Sequence, residues 1–126
     1  MPGLTYDSGA LVAAERDGRR MWLLHRRALG RGIAPVVPAV VLAQVWRGGS
    51  QALLAQLLSG CRIEPFAEPT GREVGAALAR SGTDDVIDGA VVVGALRRND
   101  TVVTGDRAHL ARIASALGRR LSIIDV

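Results

Sequence analysis

Asn99-Asp100-Thr101-Val102-Val103-Thr104-Gly105-Asp106 is the stretch on which the fold turns. Asn99-Asp100 reads as a turn, 101–104 as a strand with a near-continuous apolar centre, and Gly105-Asp106 as a second turn into the helical pattern of 107–117. The same grammar extends in both directions. Upstream, Ser81-Gly82-Thr83-Asp84-Asp85 is a loop-and-cap segment ahead of an apolar helix over 86–98. Downstream, Gly118 ends the helix and 121–125 forms a last strand.

At the other end of the chain, residues 3–6 form a short strand running into Asp7-Ser8, a helix N-cap signal, after which Ala10, Leu11, Ala13 and Ala14 continue helically. Residues 18–30 read as a second helix with Met21, Leu24 and Ala28 inward, ended by Gly30 and Gly32. Residues 35–37 are a brief strand, and Pro38 opens a helix over 39–47 that carries Val41, Leu42, Val45 and Trp46 inward until Gly48-Gly49. A helix over 51–58 follows, then an edge strand over 62–66, because Pro65 lacks a donor for a ladder. Residues 70–80 predict a helix with Thr70 as N-cap and Glu73 completing a capping box. Strands therefore alternate with helices along the whole chain, which implies an α/β fold: a central parallel sheet of about four to five strands with helices on both faces. In such sheets ligands bind outside the carboxyl ends of the strands.

With 126 residues the chain is expected to be a single domain, 1–126. Apolar residues make up 48% and aromatic residues 3%, so the core is aliphatic and a base-stacking aromatic surface is excluded. All sixteen basic residues are Arg, against twelve acids, for a net charge of +4. That balance suits a polyanionic partner, although a GC-rich coding bias produces the same usage. Cys61 alone cannot form an internal disulfide and reads as a small core hydrophobe; with only His25 and His109 beside it, a zinc site is excluded. Residues 1–7 show no basic run followed by an apolar stretch, and no apolar stretch of the sequence reaches bilayer length, so the expected location is the cytoplasm, with no membrane partner.

The aspartates carry the chemistry. Asp7 follows the first strand and Asp106 follows the strand 101–104; if these strands are parallel neighbours, both side chains emerge at the same edge. Asp88 lies one turn into its helix above Val91, Val92 and Ala95, and Asp85 shares its face. Each has a plainer reading: Asp7 and Asp106 as N-caps, Asp84 and Asp85 as helix-start acids favoured by the dipole, Thr104 and Ser8 as backbone satisfiers. Asp88, inside an apolar turn, is harder to explain away. Carboxylates crowded at the rim of a core repel one another, and a divalent cation removes the conflict. Oxygen ligands alone select a hard ion, Mg²⁺ or Mn²⁺, which can activate water against a phosphodiester.

Thr5-Tyr6-Asp7-Ser8-Gly9-Ala10-Leu11, residues 38–47, Asp85-Val86-Ile87-Asp88-Gly89-Ala90 and Val102-Val103-Thr104-Gly105-Asp106, taken in that order, resemble the PIN-domain ribonucleases and among them the VapC toxins of bacterial toxin–antitoxin pairs. The resemblance covers essentially the whole chain. It implies a three-layer α/β/α fold, a Mg²⁺- or Mn²⁺-dependent endoribonuclease site, an RNA substrate, a homodimer, and a VapB-type antitoxin that blocks the site. Asp7, Asp88 and Asp106 match three of the family's four acids. The fourth position, usually Glu, is Gln44, a neutral and poorer ligand that cannot act as a base, so weaker ion binding and reduced cleavage are expected unless Asp85 supplies the missing charge.

Arg16, Arg19, Arg20, Arg26, Arg27 and Arg31 cluster around the second helix, with Arg20, Arg27 and Arg31 on one face. They form either a solvated surface or a phosphate-contacting flank. Two functions stand: metal-assisted RNA hydrolysis, and a binding module that keeps the fold and the antitoxin groove without cleavage. A receiver or nucleotide-binding protein is disfavoured, since no Gly-x-x-x-x-Gly-Lys loop and no Lys is present.

Overall fold

The computed structural model describes residues 2–126. β1 (Leu4–Tyr6) leads into α1 (Ser8–Glu15) and α2 (Arg19–Gly30), and β2 (Val36–Pro38) into α3 (Ala39–Val45) and α4 (Ala52–Ser59). β3 (Arg62–Glu64) leads into α5 (Glu68–Ser81) and α6 (Val86–Arg98), β4 (Thr101–Thr104) into α7 (Arg107–Ala116), and β5 (Ser122–Asp125) closes the chain. The five strands form one sheet in the order β3-β2-β1-β4-β5, with every neighbouring pair parallel. This is the α/β architecture the alternation implied.

The strand order explains the layers. From β1 the chain steps outward to β2 and β3, then returns across the sheet to β4 and continues to β5. With right-handed crossovers, the helices of the first path fall on one face and those of the second on the other. The packing agrees: α1 meets α2 and α4, whereas α5, α6 and α7 pack on one another, and α3 at the rim touches both α1 and α6. The inner strands β1, β2 and β4 are buried throughout, and the edge strands β3 and β5 are open. Among the described residues no helix is long and apolar enough to cross a membrane.

Three local expectations differ from what is seen. Trp46 does not point inward: α3 stops at Val45 and Trp46 is 42% exposed. The Arg47 guanidinium donates to the carbonyls of Ala43, Gln44 and Trp46, while Gln51 Oε1 accepts from the Arg47 and Gly48 amides, so side chains take up the groups at the helix end and the chain turns away. Thr70 is not an N-cap. The helix begins at Glu68 behind an extended Ala67, with Pro69 fixing φ in its first turn, and Glu73 reaches across to Arg97 of α6 at 2.7 Å instead of back to Thr70. On α2, Trp22 and His25 are buried beside Met21 and Ala28, whereas Leu24 is only partly covered. The His25 ring is drawn in by a hydrogen bond between its Nδ1 and Tyr6 Oη at 2.9 Å, and the Trp22 indole donates to the Ala14 carbonyl. Cys61 is half-buried against the core, with its thiol donating to Leu57 O.

Candidate metal centre

The order β3-β2-β1-β4-β5 reverses direction between β1 and β4, and at such a switch point the connections leave in opposite directions, opening a crevice at the carboxyl ends. β1 and β4 pair Leu4 with Thr101, Thr5 with Val102 and Tyr6 with Val103, so Asp7 and Thr104 end up side by side at that edge. Gly9 lets the two turns close. A Cβ added at Gly9 would lie 2.6 Å from the Gly105 amide nitrogen, so α1 can start this near the β4–α7 turn only without a side chain there.

Asp7 is 3% exposed and occupies the N-cap position of α1 without capping it. Its Oδ2 accepts from Thr104 Oγ1 at 2.8 Å, and that hydroxyl accepts in turn from the Asp106 amide at 3.0 Å, which fixes the direction of its proton. Oδ1 has no partner, and it is the one buried side-chain oxygen or nitrogen in that state among the described residues. Burial is the main reason the Asp7 carboxyl sits above the ordinary range. The Ser8 amide and the Thr104 hydroxyl draw it back, and the charges of Asp106 and Asp85 push it further up.

Across the crevice, Asp85 is the N-cap of α6 and its Oδ1 accepts from the Asp88 amide at 3.0 Å, so its plain capping role is real. Asp88 projects from the first turn above the buried Val91, Val92 and Ala95. Gly89, where a Cβ would meet Val74 and Leu78 at 2.9 Å, allows α5 to pack directly behind it. The Asp88 carboxyl is pushed up to about 6, first by burial, then by the charges of Asp85 and Asp7, with His109 drawing it back. Asp106 occupies the N-cap position of α7, again with no side-chain cap bond, and is largely exposed.

His109 was not anticipated as part of this group. One turn into α7, its Nδ1 stands 3.3 Å from Asp88 Oδ2 and 3.3 Å from Asp106 Oδ2. One ligand atom from each of Asp85, Asp88 and His109 lie within 4.8 Å of one another. The site is therefore not made of oxygens alone. The spacing Asp106-x-x-His109 at a helix start was the available signal, because residues three apart share a face. Gln44 lies apart from these contacts. It is exposed, lines a groove of about 640 Å³ with Ser8, Val12, Glu15 and Arg16, and makes no side-chain hydrogen bond to the carboxylates among the described residues.

The molecule is thus a doubly wound α/β/α domain with acids from three separate segments at its switch point. No protein-family model matches the sequence, and no curated protein sequence matches it. Solved structures do. VapBC2 from Rickettsia felis, crystallised with a DNA fragment from its promoter, is similar with a TM-score of 0.69 and 17% identity, over 98% of this chain and 98% of that one. DNA-bound VapBC from Salmonella typhimurium gives a TM-score of 0.67 and 16% identity, over 99% and 98%. PAE2754 from Pyrobaculum aerophilum gives 0.62 and 18%, over 99% and 84%. The likeness is one of fold, and the chain has a PIN-like α/β/α fold.

Proposed function

We propose that this chain is a metal-dependent endoribonuclease of the VapC type, acting in the cytoplasm as a homodimer and held in check by a VapB-type antitoxin. The observation that carries the reading is the buried, unpartnered Asp7 Oδ1 in a cluster of like charges at the switch point of this fold. An anionic oxygen without a partner costs about 1–3 kcal/mol or more, and four carboxylates in mutual repulsion add to that. A divalent cation offsets both costs, so the residues fit Mg²⁺ or Mn²⁺.

Asp7, Asp88 and Asp106 would hold the ion, with Asp85 adjoining. When bound, the ion supplies Lewis-acid polarisation of a phosphodiester oxygen and lowers the pKa of water. The rest falls to the chain. Thr104 keeps its proton on Asp7 Oδ2 and so leaves Oδ1 as the open edge. The bidentate Arg107–Asp125 pair holds the start of α7, and with it Asp106, against β5. The exposed arginines of α2 give a polyanion a favourable approach.

RNA cleavage with and without Mn²⁺ tests the reading on the wild-type chain, Asp7→Asn and Gln44→Glu. Cleavage that needs the ion, disappears in Asp7→Asn and rises in Gln44→Glu is the expected pattern. Activity that survives in Asp7→Asn would overturn it. The neutral Gln44 favours a second reading, a module that binds antitoxin and RNA without cutting; RNA binding with no cleavage in any of the three proteins would establish that one.

A further inference from the structure

We infer that His109 is a nitrogen ligand of the cation site, and that the mixed set it completes takes a first-row transition ion such as Mn²⁺ or Co²⁺ in preference to Mg²⁺. The inference rests on the nuclease reading and goes beyond it by naming a ligand outside the four acid positions. Three observations lead to it. The imidazole Nδ1 faces two carboxylates at once, Asp88 and Asp106, at equal distances of 3.3 Å. Asp85, Asp88 and His109 each place a ligand atom within one 4.8 Å span, which no set made of Asp7, Asp88 and Asp106 does among the described residues. And Asp7, whose charge acts on Asp88, carries a buried Oδ1 with no hydrogen-bond partner among the described residues.

His109 sits on the first turn of α7, and the preceding Arg107 is clamped to Asp125 through three nitrogen–oxygen contacts of 2.8–3.1 Å. Asp85 has one oxygen engaged by the Asp88 amide, which leaves the other for a ligand role. A nitrogen ligand favours the divalent transition ions of the first row, Mn²⁺ least among them and Co²⁺ more, whereas Mg²⁺ demands near-octahedral oxygen and gives up water reluctantly. The neutral nitrogen would also fill a coordination position without adding to the repulsion among the carboxylates.

Pulsed EPR of the Mn²⁺-loaded chain tests the assignment, read beside calorimetric titrations with Mn²⁺ and Mg²⁺. The expected result is an imidazole-nitrogen coupling in the wild-type protein that is lost in His109→Gln. His25, the other histidine, is committed to Tyr6 in the core and does not confuse the signal. His109→Gln should weaken Mn²⁺ binding about tenfold or more, since loss even of a ligand's supporting partner costs about 10–100-fold, and should leave Mg²⁺ binding nearly unchanged. Bound Mn²⁺ that is lost in Asp88→Asn yet shows no nitrogen coupling in the wild type would overturn the proposal, leaving His109 an ion-pair partner and the nuclease reading intact. Binding of Mg²⁺ without Mn²⁺ would overturn the proposal alone, and failure of the wild type to bind either ion would overturn both. If His109→Gln does not fold, the wild-type spectrum decides alone.

Discussion

Asp88 shows what the site costs the folded chain. An aspartate in an unfolded chain titrates near pKa 3.9, and here the folded-state value is about 6. The folded state therefore binds the proton more tightly than the unfolded state, and stability falls as pH rises from about 4 through about 6. His25 works the other way: burial lowers its pKa, so its contribution is present above about 6.5 and is lost as pH falls. The two overlap in the wild-type curve, and a difference measurement separates them. Without divalent ions, Asp88→Asn should unfold at higher denaturant than the wild type at pH 7.5, and the gap should narrow at pH 5. A gap that does not change with pH would mean that ionisation of Asp88 is not the source. Asp7→Asn should likewise raise stability at neutral pH, because it removes the buried anion whose Oδ1 has no partner.

Between elements, the decisive contact is the approach of α1 to the β4–α7 turn. Gly9 lies inside α1, where Ala is favoured over Gly by about 1 kcal/mol on helix propensity alone. Its Cβ would stand 2.6 Å from a backbone nitrogen that has no flexible end to swing away. Overpacking of this kind costs about 1–3 kcal/mol, so the net sign should be destabilising. Gly9→Ala is expected to lower the urea midpoint and to weaken Mn²⁺ binding by moving Asp7 away from Asp106. A stabilised variant would show that the approach is looser than the contact implies. The end of α3 teaches a related lesson: side-chain capping by Arg47 and Gln51 overrode the apolar pattern that had placed Trp46 inside.

Across the molecule, Arg98 ties together strands far apart in the chain. From the end of α6 it pairs with Glu64 of β3, bonds Asp100 Oδ2 at 2.8 Å and donates to Thr5 Oγ1 of β1 at 2.9 Å, while Thr5 donates to the same Asp100 oxygen. All these charged groups are largely buried, Asp100 to 5% exposure of its side chain. Removing one member of such a network leaves the others charged and uncompensated, at about 3–5 kcal/mol. Arg98→Met should therefore destabilise by about that amount in equilibrium denaturation, whereas Arg72→Met, which breaks an exposed pair with Glu68, should change stability by less than about 1 kcal/mol.

The order of strands and helices was legible because local patterns set it: apolar runs of β-branched residues between Gly, Asn and Asp turns can be read without knowing their neighbours. That Asp7 and Asp106 emerge at one edge was legible too, as soon as the sheet was taken to be parallel, since strand direction alone sends both there. His109 and the Arg98 network were not. Each depends on where side chains from different helices and strands meet, which is set by strand order, crossover and interhelix distance and leaves no period in the sequence. The same holds for Thr70 and Trp46, where Pro69, Arg97, Arg47 and Gln51 competed with the local signal and won. The sequence by itself determined the elements and the edge at which the acids emerge; only the tertiary structure decided which atoms face one another there, because that depends on contacts between groups that the chain keeps far apart.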